Sequence, residues 1–277
     1  MATKTATLSN KNSTEIKHKV KASTARTRRS ASEMYNIVRE SVNSMPLIGK
    51  LIAEFIGAFI FTAAFIQMQG NPLFVGFALI GIVLIVGSVS GAHLNPIITI
   101  GAWFTRKIDW VHALGYIVVQ LLGAAVAYSV LNAFINANDT ATQMAMGPAP
   151  SLFHAAEIVK NKEWYLFFTE LLGSTILALG IATTIRKKNN KTVAAFSAGF
   201  AIIIALYISM SLTTTLLNEQ GATLSFLNPA FAFALNGLEW KTWPLVIYVL
   251  APVLGGIIGF ILHDFLQSQS KDDCDCC

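Results

Sequence analysis

Apolar residues fall into six long runs along this chain, while polar residues gather in the tails and in short links between them. The runs cover about 48–68, 72–89, 109–133, 164–185, 193–216 and 243–266. Each is near the roughly 20 residues that carry a helix across a bilayer. Two shorter apolar stretches remain, 95–104 and 228–235, each about half a span long. Segments of that length fit re-entrant half-helices rather than crossings. Both open on Asn-Pro, at Asn95-Pro96 and Asn228-Pro229. Asn is a favoured N-cap and Pro a favoured first helical residue, so each motif reads as a helix start. The pattern predicts an all-α membrane protein with six transmembrane helices and two half-helices.

The two halves repeat. Glu54-Phe-Ile-Gly57 in the first span recurs as Glu170-Leu-Leu-Gly173 in the fourth. Tyr116-x-x-x-Gln-Leu-Leu-Gly123 in the third recurs as Tyr248-x-x-x-Pro-Val-Leu-Gly255 in the sixth, and Asn95-Pro96 as Asn228-Pro229. Three spans per unit is an odd number, so the second unit enters the membrane upside down and a shared site falls at the midplane. The repeat halves cover about 46–135 and 163–266 of a channel domain at 46–266, flanked by tails at 1–45 and 267–277.

Composition agrees with a membrane solvent. The chain is 54% hydrophobic and 13% charged with mean hydropathy +0.57, where soluble domains carry about a quarter charged residues. A net charge of +5 raises nucleic-acid binding, but its distribution argues against that partner. Ten of the twenty Lys and Arg precede residue 51, in a Ser/Thr/Lys/Arg-rich tail too polar to fold alone. That tail has no apolar segment of a signal peptide, and Glu15 and its excess of Lys disfavour a transit peptide. With the N-terminus inside, the inner segments hold seventeen Lys and Arg and the outer loops three, Lys160, Lys162 and Lys241. This asymmetry places both termini in the cytoplasm, with the tail against anionic headgroups of a plasma or inner membrane. Met34, Ile37, Val38 and Val42 suggest a short interfacial helix over 33–44. Cys274, Cys276 and Cys277 read as part of a disordered cytoplasmic tail rather than a disulfide, metal site or lipid anchor.

Two helix N-termini aimed at one point create a positive potential that repels cations, hydronium included. Each Asn amide can donate to a passing oxygen, which breaks a proton-passing chain of waters, while apolar walls keep the solute weakly bound. Carboxylates inside a membrane are costly. The equivalent positions of Glu54 and Glu170 favour a supporting role over a proton relay, each accepting backbone N–H bonds from the loop that enters a half-helix. His93 is expected to pack behind the first half-helix and bond its loop, and Gln120 to join helices. No nucleophile–base set, metal cluster or cofactor motif accompanies these groups, so an enzyme is not expected.

These residues closely resemble the aquaporin (major intrinsic protein) family over about 48–266. Ser90-Gly-Ala-His-Leu-Asn-Pro96 looks like that family's first signature and Asn228-Pro-Ala230 its second. The resemblance implies a homotetramer with one pore per subunit, passing water or small uncharged solutes. It also locates departures. Ile97 replaces the usual Ala of the first motif, and Phe231 stands where the family normally has a filter Arg. Family spacing puts the other constriction positions at Val75, at Ser225 and, on the fifth span, at Leu206 if Gly199 is aligned or Leu216 if residues are counted back from Asn228. The implied filter is Val, Leu, Ser and Phe, with no cation. Ala232 replaces the Asp usual in glycerol-conducting members. Water conduction leads; a facilitator chiefly for glycerol, hydrogen peroxide or ammonia, and a closed-pore structural protein, are the alternatives. The missing Arg also raises proton or ion conduction.

Overall fold

The computed structural model describes residues 47–137, 152–185, 190–217 and 220–272. The expected helix over 33–44 and the three cysteines lie outside them. Among the described residues, six helices are long and apolar enough to cross a membrane. In chain order the elements are α1 (Leu47–Gln67), α2 (Pro72–Ser90), half-helix α3 (Pro96–Phe104), α4 (Trp110–Asn136), α5 (Glu163–Ala182), α6 (Lys191–Thr213) and half-helix α7 (Pro229–Ala234). The last span is composite: α8 (Thr242–Leu245), a π-helical stretch (Val246–Leu250) and α9 (Ala251–Asp272). Pro252 explains the π stretch. It has no N–H for the carbonyl of Tyr248, and its ring needs the extra room that a widened turn supplies just before it. The span read as 193–216 ends its α-helix at Thr213 and finishes as a 3₁₀ turn, Thr214–Leu216.

Local chemistry sets the starts. Asn71 caps α2 by accepting from Leu73 N and Phe74 N, with Pro72 at the first helical position. Asp109 caps α4 through Val111 N and His112 N. A two-residue parallel pair, β1 (His154–Ala155) with β2 (Ala222–Thr223), ties the loop before α5 to the loop that enters α7.

The repeat is visible in how helices meet. α1 packs on α4, α5 on α9, and α2 on α6. Glycines mark each contact at matching places. A methyl on Gly123 would lie 2.5 Å from Phe55 O, and one on Gly255 would lie 2.5 Å from Leu171 O. Gly76 and Gly199 approach each other reciprocally, each Cβ position being 2.8 Å from the other's carbonyl oxygen. Small residues let apolar helices close in where no hydrophobic force drives them together. The outward faces are apolar, with Ile48, Ile52, Ile56 and Ile60 forming an exposed stripe on α1. Exposed Trp103 and Trp110 mark one end of the bundle, and Trp164 and Trp240 stand in elements at the other, as aromatic belts do at membrane surfaces.

Candidate functional site: facing half-helices and an outer constriction

Each half-helix is entered by a short irregular loop held on a buried carboxylate. Glu54 of α1 takes four donors: Ser90 Oγ at 2.6 Å, His93 N at 2.9 Å, Leu94 N at 2.8 Å and Gln120 Nε2 at 2.8 Å. Glu170 of α5 takes two, Phe226 N at 2.7 Å and Leu227 N at 3.0 Å. One of the two extra donors follows from sequence, since Pro252 stands in the second repeat where Gln120 stands in the first. Tyr116 Oη donates to Ser90 O at 2.9 Å, whereas the buried hydroxyl of its counterpart Tyr248 has no partner among the described residues. His93 sits behind α3, its Nδ1 3.3 Å from Thr99 Oγ1 and its ring edge-on to Tyr116.

The two loops then make the same turn. Leu94 and Leu227, each just before its Asn, adopt left-handed backbone with φ of 55° and 52°. Bulky residues avoid that region, so the surroundings must hold them there. The turned carbonyls face across the repeat axis. Asn95 Nδ2 donates to Leu227 O at 2.9 Å, and Asn228 Nδ2 reaches Leu94 O at 3.5 Å. Both Asn side-chain oxygens cap their own half-helix, accepting from Ile97 N at 3.0 Å and Ala230 N at 2.9 Å. The caps therefore join the half-helices as well as starting them. One N–H of each amide points to the opposite loop, and the other has no acceptor among the described residues. Pro96, Pro229 and Ile97 are buried with them.

The four expected constriction residues are all buried: Val75, Leu206, Ser225 and Phe231. Leu216 is half-buried in the 3₁₀ turn. The Phe231 ring turns toward α1, stacked on Phe65 with centroids 4.5 Å apart and edge-on to Phe61 at 4.9 Å. Phe153 and Phe226 extend the cluster from Phe65. This aromatic wall escaped the sequence reading, because only i+4 spacing links Phe61 and Phe65 and nothing local ties them to residue 231. Buried hydroxyls of Thr62, Ser174 and Ser209 lie in α1, α5 and α6 with no partner among the described residues.

The family model described as Major intrinsic protein matches residues 41–263. A glycerol uptake facilitator protein-like protein of Lactiplantibacillus plantarum is 28% identical over 230 residues, covering 79% of this chain and 99% of that protein. Aquaporin AqpM of Methanothermobacter marburgensis is 31% identical over 208 residues, covering 70% and 75% respectively. In fold, the chain is similar to the X-ray structure of the aquaglyceroporin from Plasmodium falciparum, with a TM-score of 0.60, 21% identity, and coverage of 79% of this chain and 96% of that one.

Proposed function

From the premise that the chain belongs to the major intrinsic protein family, we propose how its pore selects cargo. The protein is a passive channel for water or small neutral solutes. The observation that carries this reading is the pair of Asn-capped half-helices cross-bonded at their tips. Their N-termini oppose cations and protons, while the remaining amide N–H groups take a neutral oxygen. Orphan hydroxyls at Thr62 and Ser209 support a wetted interior, since a buried polar group left dry costs about 1–3 kcal/mol.

Val75, Leu206, Ser225 and Phe231 form the outer constriction in this proposal. Leu206 is fully buried within α6, whereas Leu216 is half-buried in the 3₁₀ turn. Burial favours Leu206 over Leu216 and puts the additional residues after it, where α6 continues to Thr213 and the 3₁₀ turn. With Phe231 laid on Phe61 and Phe65, the constriction offers one hydroxyl, Ser225, and otherwise apolar surface. Such a filter has no fixed charge to bind a solute tightly, and it passes small neutral molecules beyond water. Phe231→Arg restores a donor cluster on that wall. It is expected to slow glycerol while keeping water flow, in paired proteoliposome permeability measurements. Unchanged glycerol passage would remove residue 231 from the filter. The assembly proposed is a homotetramer, one pore per subunit, with both termini in the cytoplasm.

A further inference from the structure

At the end of the bundle where α1 begins, a cavity of about 490 Å³ opens between α1, the last turn of α2, the end of half-helix α3 and the start of α4. Lys50, Arg106, Lys107 and His112 line it, with Trp103 beside them. No described residue of the second repeat lines it, and neither do Asn95 and Asn228 at the tips of the facing half-helices. Asp109 also lines it, but its carboxylate is engaged by the α4 N-terminus and by His112 Nδ1 at 2.6 Å. Those bonds, the His112 backbone N–H foremost, hold its pKa below the usual value. Lys107 is shared with Asp264 at 2.6 Å, and Lys50 Nζ lies 3.4 Å from His112 Nε2. The Arg106 guanidinium meets no acceptor among the described residues, and neither it nor Lys50 has a carboxylate partner there.

Arg106 is also in an unusual backbone position. Lys107 N donates to Ala102 O and Arg106 N to Trp103 O, the paired bonds of a Schellman closure of α3. The left-handed residue of that closure is ordinarily Gly, yet Arg106 holds it with φ 57°. A residue that strains the turn and leaves its charge unpaired has a use for its side chain.

We propose that this cavity binds a phosphate-bearing anion, supplied by the headgroup of an anionic phospholipid. Arg106 and Lys50 would hold the phosphate, the guanidinium by paired N–H bonds. The lipid source is favoured over free phosphate by the surroundings. Exposed Trp103 and Trp110 flank the mouth as interfacial anchors. Exposed Ile48 and Ile52 of α1, with Leu114 and Val118 of α4, continue from it as an apolar surface for an acyl chain. The inference uses the functional reading only in needing the chain to sit in a bilayer, and its test measures binding rather than transport.

The experiment is native mass spectrometry of the purified full-length chain in detergent, titrated with phosphatidylglycerol, phosphatidylcholine or inorganic phosphate. Phosphatidylglycerol is expected to bind more tightly than phosphatidylcholine, and millimolar phosphate to displace it. Arg106→Gly relieves the backbone, so its melting temperature should hold or rise. It should nonetheless weaken phosphatidylglycerol about fivefold, the effect of removing one cation near an anionic headgroup, and leave phosphatidylcholine unchanged. Equal affinity for the two lipids overturns the proposal. So does a preference undiminished in Arg106→Gly, as the basic tail alone would give. Phosphate binding without a phosphatidylglycerol preference overturns the lipid assignment and makes the ligand a soluble anion.

Discussion

Glu54 and Glu170 occupy equivalent places, yet they hold their loops with four donors and two. A Gln at either site turns one carboxylate oxygen into an N–H donor that faces other donors. At either position one backbone N–H loses its acceptor, and at position 54 four bonds rather than two also lose the carboxylate's charge. Each buried group left unpaired costs about 1–3 kcal/mol. Glu54→Gln is therefore expected to lower the thermal unfolding midpoint in detergent more than Glu170→Gln. Equal losses would contradict the bond pattern. The carboxylates and Asn caps were legible as loop supports because their spacing repeats along the chain. The cross-bonds Asn95–Leu227 and Asn228–Leu94 were not, since they depend on two left-handed turns that residue type disfavours. The basic cavity was equally hidden, as Lys50 and Arg106 are far apart in sequence and join only once α3 closes.

Among the elements, the six spans could be read from hydropathy because lipid-facing surface is apolar whatever each helix packs against. Their ends moved by a few residues. The π stretch at Val246–Leu250 and the 3₁₀ turn at Thr214–Leu216 could not be read that way, as both sit inside apolar runs. Helix contacts follow the glycines, and this can be tested. A methyl on Gly199 would lie 2.2 Å from Ile80 Cγ1 and 2.8 Å from Gly76 O, so it collides with backbone as well as with a movable side chain. Gly199→Ala should destabilise by about 1–3 kcal/mol through overpacking. Gly81, also within a span, has open space at its Cβ position. Gly81→Ala should be neutral or stabilising by up to about 1 kcal/mol. Unfolding midpoints compare the two. Equal behaviour would mean that α2 and α6 do not meet as described.

For the whole molecule, the orientation proposed from the charge asymmetry has the Lys50 end and the C-terminus inside. Cys274, Cys276 and Cys277 are the chain's three cysteines, so they report on it without mutation. A membrane-impermeant maleimide should label them only after cells are permeabilised. Labelling of intact cells would invert the topology. The central claim concerns passage itself: facing half-helix tips and an uncharged aromatic-walled constriction make a passive path for water and small neutral solutes. Stopped-flow light scattering on proteoliposomes tests it most directly, with an impermeant osmolyte reading water and a glycerol step reading solute. Reconstituted vesicles should respond several-fold faster than empty ones without conducting protons. Vesicles no faster than empty ones in both assays would contradict the account.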